Sequence, residues 1–325
     1  MRAFRRAAAS VASVDADALD RLAGAGRLTE LSGIGASTAA VIAEALAGDV
    51  PAYLARLEAE IGPPPEEDAA VTVLVDALRG DLHTHSDWSD GGSPIEEMAA
   101  AARRLGHDYY ALTDHSPRLT VAHGLTADRL RRQLDAIAAL NERLAPFRIL
   151  TGIEVDIGDD GTLDQDSGLL AALDVVVASV HSKLRMAPGP MTERMVAAVS
   201  NPHVDVLGHC TGRIVVGKGR PPSSFDAGAV FAACAAHGTA VEINARPERL
   251  DPPDELLVLA AAAGCVMTID TDAHAPGQLE WQVHGARKAV ACGIGADRIV
   301  NTRSVDDVRA WTGNGTGADQ GDRPR

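Results

Sequence analysis

The sequence predicts an α/β protein whose larger part is a parallel barrel of seven strand–helix units. Three observations lead there. From about residue 80, short Val/Ile-rich runs alternate with Ala-rich helical stretches, the pattern of parallel strands joined by helices. The 325-residue chain is 46% apolar but only 3% aromatic, so its core must be filled by Ala, Val, Leu and Gly. Histidines and carboxylates then gather where those runs end, the place where barrels of this kind carry their chemistry.

The expected strands are 81–85, 109–113, 148–155, 174–180, 204–208, 239–244 and 266–270. The helical patterns between and after them are 93–105, 126–144, 191–200, 223–237, 253–263 and 278–292. Residues 80–311 are thus expected as one barrel domain, and 312–325, rich in Gly, Asp and Arg, as a flexible tail. Residues 1–62 read as helical, with Asp15-Ala16-Asp17 as a capping start for the second helix. Gly62-Pro63-Pro64-Pro65-Glu66-Glu67-Asp68 marks the clearest boundary, and 63–79 is expected as a proline-rich acidic linker. The net charge of −15 provides no global basic field for nucleic acid or anionic membrane. No apolar run reaches spanning length, and Cys210, Cys234, Cys265 and Cys292 form no Cys-x-x-Cys pair. Reduced thiols and a cytoplasmic location are expected.

The first strand ends in Asp81-Leu82-His83-Thr84-His85. Residues two apart on a strand share a face, so the two imidazoles stand side by side as a chelate for a divalent metal. Ser89-Asp90-Gly91-Gly92 is a turn signature that brings a carboxylate back to the same space. Later strand ends supply Asp114-His115, Glu154-Val155-Asp156, His181, His209 and Asp272-Ala273-His274. Six of the eleven histidines therefore fall at strand ends. The other five (His107, His123, His203, His237, His284) lie in helices or loops, where solvated or packing roles are expected.

These motifs resemble the PHP (polymerase and histidinol phosphatase) superfamily, and in particular the PHP domain at the C-terminus of bacterial family X DNA polymerases. The residues that carry the resemblance are Gly80-Asp81-Leu82-His83-Thr84-His85, Leu112-Thr113-Asp114-His115-Ser116, Val177-Ala178-Ser179-Val180-His181-Ser182, Glu242-Ile243-Asn244-Ala245 and Thr271-Asp272-Ala273-His274. The resemblance implies a distorted (β/α)7 barrel around three divalent metal ions, Mn²⁺, Zn²⁺ or Fe²⁺. It implies one ion on His83, His85, Glu154 and Asp272, and a second on His181 and His209 with Glu154 bridging. The third falls to Asp90, His115 and His274. The expected reaction is phosphoester hydrolysis by a metal-activated hydroxide, so no Ser, Cys or Asp nucleophile is required. Glu154, His83, His85 and Asp272 are the residues expected to carry catalysis.

Asp114 and Asp156 stand beside ligands, either orienting imidazoles or capping loops. Lys183, Arg213 and Arg249 follow strand ends and are candidate phosphate clamps, and Asn244 a candidate amide donor to substrate. Glu242, two residues deeper than Asn244, is expected as a buried, paired carboxylate.

Residues 28–42, with Gly33-Ile34-Gly35 at their centre, resemble the helix–hairpin–helix of the small N-terminal domain of the same polymerases, which grips DNA backbone. Two departures stand out: Ala36 takes the place where such hairpins often carry Lys, and the domain's usual first helix is absent. Residues 62–80 leave no room for a polymerase palm, so no polymerase activity is expected. The function expected is a phosphoesterase acting on nucleic-acid 3′ ends, by exonuclease action or end processing. The alternatives are a small-molecule phosphomonoesterase of the histidinol-phosphatase type, favoured by the acidic charge, and a catalytically silent DNA-repair scaffold or partner-binding module.

Overall fold

The structure, a computed structural model, describes residues 2–61 and 68–313. It divides into two compact units, Met1–Glu67 and Asp68–Arg325.

The second unit is built on seven parallel strands: β1 (Gly80–Thr84), β2 (Tyr109–Leu112), β3 (Arg148–Asp156), β4 (Val175–Ser179), β5 (Val206–Leu207), β6 (Ala240–Asn244) and β7 (Met267–Asp270). They pair in sequence order from β1 to β7. Each strand bound lies within two residues of its expectation. Helices Ile95–Arg104, Ala127–Leu144, Pro188–Val199, Ala227–His237, Asp254–Ala262 and Gln282–Ala291 cross between or follow the strands. The strand–helix alternation breaks once: β3 reaches β4 through a loop carrying a single short turn of helix, Ser167–Leu170.

The ring nearly closes between β7 and β1, and side chains complete the seam. The one backbone bridge joins Thr84 to Ala273. Deeper down, the Leu82 N–H donates to the Asp270 carboxylate at 2.8 Å rather than to a carbonyl. Asn301 is fully buried there: its amide donates to the carbonyls of Gly80 (3.1 Å) and Ile269 (3.0 Å) and accepts from the Ile269 N–H at 2.7 Å. Gln282 donates to the same two carbonyls at 2.9 Å. Side chains thus satisfy these backbone groups where ladder bonds are missing, as a buried backbone requires.

Period two sorts the strand residues. On β3, Ile153 and Val155 face the outer helices in the large apolar cluster, while Leu150 joins Val175, Val177, Val206 and Ala240 in the plug inside the ring. Leu150 and Glu154 share a face, so the aliphatic plug forms a dry floor for the polar end of the barrel.

Part of the expected linker is ordered as a helix. Asp68 caps Ala69–Ala77, accepting from the Ala70 N–H at 2.8 Å, and Val71 and Leu74 are buried in the barrel unit's large cluster. The rest of that linker, 63–67, and all but the first two residues of the expected tail lie outside the described residues.

In the first unit, helices Arg2–Ala12, Ala16–Gly24, Ala36–Leu46 and Ala52–Ile61 surround a small core of Ala7, Leu19, Leu28 and Ile34. Asp15 caps the second helix, as its sequence context predicts. Gly33 holds φ +81°, a left-handed value that a side chain would strain, and lies against the first helix near Arg6.

Candidate metal centre

Nine side chains from six strand ends converge on the open end of the barrel. The chain beyond β1 folds back on itself, with the Gly91 N–H bonded to the Ser86 carbonyl (2.9 Å) and the Gly92 N–H to the His274 carbonyl (2.7 Å). Asp114 fastens that turn: it accepts from the Ser86 N–H (2.8 Å), the Ser86 hydroxyl (2.6 Å), the Ser89 hydroxyl (2.5 Å) and the Gln133 amide (2.6 Å). Of its two expected roles, it takes that of loop cap. The turn delivers Asp90 to within 3.3 Å of His274 Nε2 and 3.5 Å of His115 Nε2.

Glu154 sits at the middle, fully buried. Its Oε1 lies 2.9 Å from His209 Nε2 and 3.3 Å from His181 Nε2; its Oε2 lies 2.8 Å from His115 Nδ1 and 3.4 Å from His83 Nε2. Asp272, with φ +51°, turns its carboxylate to 3.4 Å from His85 Nε2. A left-handed aspartate costs ~1–3 kcal/mol and persists only where its surroundings hold it, here through Arg246 and Arg249. Gly208, just before His209, has no room for a side chain: a Cβ would lie 2.4 Å from Ser179 Oγ.

Potential ligand atoms within 4.8 Å of one another form four overlapping groups: His83/His85/Asp272, His83/Glu154/His209, His115/Glu154/His181 and His85/Asp90/His115/His274. All nine expected ligands are in them. His181 and His209 fall in different groups, each with Glu154, and further contacts link the sets: His115 reaches Glu154, and His85 stacks on His115 at 4.4 Å. The other five histidines fall outside these groups.

The donor set fits a multinuclear metal site. Both ring nitrogens of His85, His83 Nε2 and Glu154 Oε2 are buried without a hydrogen bond, a costly arrangement unless a cation meets them. Burial opposes the charged form of Glu154, but His181, His83 and His115 hold its carboxyl well below the usual range. Burial and the charges of His274 and His115 push His85 well down, toward the neutral imidazole that a metal needs. Burial also lowers His209, to about 4.

Behind the ligands, Glu242 Oε1 lies 2.6 Å from His83 Nδ1, and its other oxygen accepts from the His209 backbone N–H at 2.5 Å. It is the buried, paired carboxylate expected. Asp156 accepts from the His181 N–H at 3.2 Å and lies 3.5 Å from that ring's Nδ1, so it steadies His181.

A cavity of ≈ 410 Å³ opens over the centre, with Asp90, His115, His181, His209, Asp272 and His274 on its floor. Arg246, Glu248, Arg249, Leu119, Ile214 and Val216 complete its lining. Of the proposed substrate residues, Arg249 stands at this cavity, 3.2 Å from Asp272. The other three have partners elsewhere in the fold. Asn244 is fully buried, its amide donating to Glu242 at 3.2 Å and accepting from the Arg246 N–H. The Arg213 guanidinium bonds the carbonyls of Arg249 (3.0 Å) and Leu250, fastening a loop. Lys183 pairs with Asp159 and is not among the cavity residues. Arg246 was not expected; its NH1 lies 3.3 Å from His274 Nδ1 and 3.5 Å from Asp272 Oδ1. Its place just beyond β6, like the ligands' places beyond their own strands, was the available signal. In the first unit, Gly33-Ile34-Gly35 forms the turn before helix Ala36–Leu46, with Ile34 buried and the Gly35 N–H bonded to the Thr38 hydroxyl at 2.9 Å.

A seven-stranded parallel barrel with a His/carboxylate centre beneath an arginine-lined cavity is an arrangement suited to metal-assisted hydrolysis. The PHP domain family model matches residues 81–245. The chain is 41% identical over 244 residues to the DNA polymerase/3′-5′ exonuclease PolX of Bacillus subtilis, covering 75% of this chain and 42% of that protein. A probable phosphatase of Thermoanaerobacter sp. strain X514 is 30% identical over 237 residues, 68% of this chain and 89% of that protein. The histidinol phosphate phosphatase of Lactococcus lactis, solved with zinc, L-histidinol and phosphate, aligns with a TM-score of 0.47 and 19% identity over 67% of this chain and 94% of that one. The chain belongs to the PHP domain family.

Proposed function

We propose that this phosphoesterase acts on nucleic-acid 3′ ends and holds three divalent ions, Mn²⁺, Zn²⁺ or Fe²⁺. The observation that carries the metal reading is the convergence of all nine ligand side chains, with Glu154 shared between groups. The 41% identity to a protein named as a 3′-5′ exonuclease supports the nucleic-acid substrate. His83, His85, Glu154 and Asp272 would hold one ion, Glu154, His181 and His209 a second, and Asp90, His115 and His274 a third. Bound there, the ions would supply Lewis-acid stabilisation of the phosphoryl group and lower the pKa of water. Glu154 sets the separation of two of these groups, Asp272 is steered by Arg246 and Arg249, and both arginines present N–H donors to the cavity for the non-bridging oxygens. The complete ligand set also weighs against a silent scaffold.

In the first unit, the Gly33-Ile34-Gly35 turn opens helix Ala36–Leu46, whose N-terminal N–H groups favour a phosphate. We read it as a helix–hairpin–helix that grips DNA backbone. A second reading, a small-molecule phosphomonoesterase, is favoured by the net charge of −15 and by the probable phosphatase that this chain covers over 89% of its length.

The test uses metal-stripped protein reloaded with Mn²⁺ or Zn²⁺, given a 5′-end-labelled oligonucleotide and histidinol phosphate in parallel. Shortening of the oligonucleotide supports the first reading. Phosphate release from the small ester alone supports the second.

A further inference from the structure

Three aliphatic side chains, Leu119, Ile214 and Val216, line the cavity beside its charged groups and imidazoles. Leu119 belongs to the loop that follows His115, and Ile214 and Val216 to the loop that follows His209. These loops extend from β2 and β5, three steps apart in a ring of seven, so the two aliphatic groups come from opposite sides of the barrel. The second loop is a built hairpin. Ile214 and Arg220 exchange backbone bonds at 2.9 and 2.8 Å, and the Gly219 N–H closes the turn on the Val216 carbonyl at 3.0 Å. Gly217 and Gly219 both hold positive φ, which lets the tip turn this tightly. The Val215 N–H bonds the Glu248 carbonyl at 2.8 Å, docking the hairpin on the loop that carries Arg246 and Arg249. Arg213 fastens the same two loops from below.

The hairpin thus holds an aliphatic side chain out in water at the cavity: Val216 is 46% exposed, and Ile214 and Leu119 are half-buried in the same lining. Bare aliphatic groups at a catalytic mouth match a substrate with an apolar face. A phosphate seated by the arginines leaves its esterified alcohol pointing outward, between the two lips.

We propose that Leu119, Ile214 and Val216 form an apolar clamp for the flat, uncharged ring of the leaving group, a nucleobase, and so set specificity for nucleoside phosphate esters. This rests on the phosphoesterase reading and narrows its substrate class. A polyol phosphate gains nothing from such lips, whereas a base between them removes aliphatic and ring surface from water together.

The experiment compares thymidine 3′-phosphate with its abasic counterpart, in which hydrogen replaces the base, on the Mn²⁺-loaded full chain. The two esters share one sugar and one leaving oxygen, so their ratio of kcat/KM reads the base contact alone. The wild-type protein should favour the nucleotide by about tenfold or more, and Val216→Ser, Ile214→Ser and Leu119→Ser should each bring the ratio down about fivefold. Val216 sits at an exposed loop tip, so Val216→Ser tests the clamp without a folding burden. Equal turnover of both esters by wild type, or an unchanged ratio in all three variants, overturns the clamp and leaves the phosphoesterase reading standing. Turnover of neither ester also overturns the clamp, while the oligonucleotide and histidinol phosphate assays decide the phosphoesterase reading separately.

Discussion

His83 Nδ1 and Glu242 Oε1 lie 2.6 Å apart, both side chains fully buried, while the opposite nitrogen of the same ring faces Glu154 at 3.4 Å. The ring is thereby held by one nitrogen so that the other is aimed at the centre. Glu242 also accepts from the His209 backbone N–H, so one carboxylate positions two proposed ligands on different strands. Partners of this kind set both the tautomer and the orientation of a ligating histidine.

Glu242→Gln keeps the shape but loses the charge, and should weaken metal affinity about 10–100-fold. Calorimetric titration of metal into stripped protein checks it, and excess metal should restore much of the rate. A rate loss that excess metal does not touch would point to a role for Glu242 beyond positioning.

Glu154→Ala should bring metal-loaded activity to a few per cent of wild type or less, because a carboxylate shared by two ligand groups is deleted. Elemental analysis should show fewer ions per chain. Full stoichiometry in this variant would refute the sharing.

Chelation should abolish hydrolysis and lower the melting temperature, with both restored on reloading. Ions that bind only the folded chain add about 2.7 kcal/mol at a hundredfold excess over Kd. Scanning calorimetry with and without chelator measures this, and identical melting curves would count against a metal held by the fold.

Asn301→Ala should destabilise the barrel without touching a ligand. It strands the Ile269 N–H at the β1–β7 seam and leaves the carbonyls of Gly80 and Ile269 to Gln282 alone. A buried group left unpaired costs about 1–3 kcal/mol. For a domain of this size that lowers the melting temperature by roughly 5 °C.

Ser37→Glu places a negative charge in the exposed first turn of helix Ala36–Leu46, a position that favours the helix yet repels phosphate. KM for an oligonucleotide should rise several-fold at low salt, with thymidine 3′-phosphate unaffected. An unchanged oligonucleotide KM would remove the hairpin from substrate binding.

Much of this protein was legible in its linear order. Strand ends are local features, so period two and turn signals were enough to place the strands, to gather histidines and carboxylates at their ends and to find the Asp15 cap, while the family resemblance picked out the nine ligand candidates among them. Glu242 was also readable, because a carboxylate two residues inside a strand end must point into the barrel and be paired. Contacts between distant segments were not. Asn244, Arg213 and Lys183 follow strand ends just as the ligands do. Only the packed structure shows that Glu242, the Leu250 carbonyl and Asp159 already engage them, while Arg246 reaches the cavity. Helix Ala69–Ala77 escaped notice because its β-branched residues read weakly as helix, and its stability comes from burying Val71 and Leu74 against the barrel. Sequence determined which groups stand at the mouth of the barrel, since backbone periodicity dictates the direction of each side chain. Tertiary structure decided which of them remain free to bind, because a partner's hydrogen bond comes from whatever the fold brings within 3 Å or so.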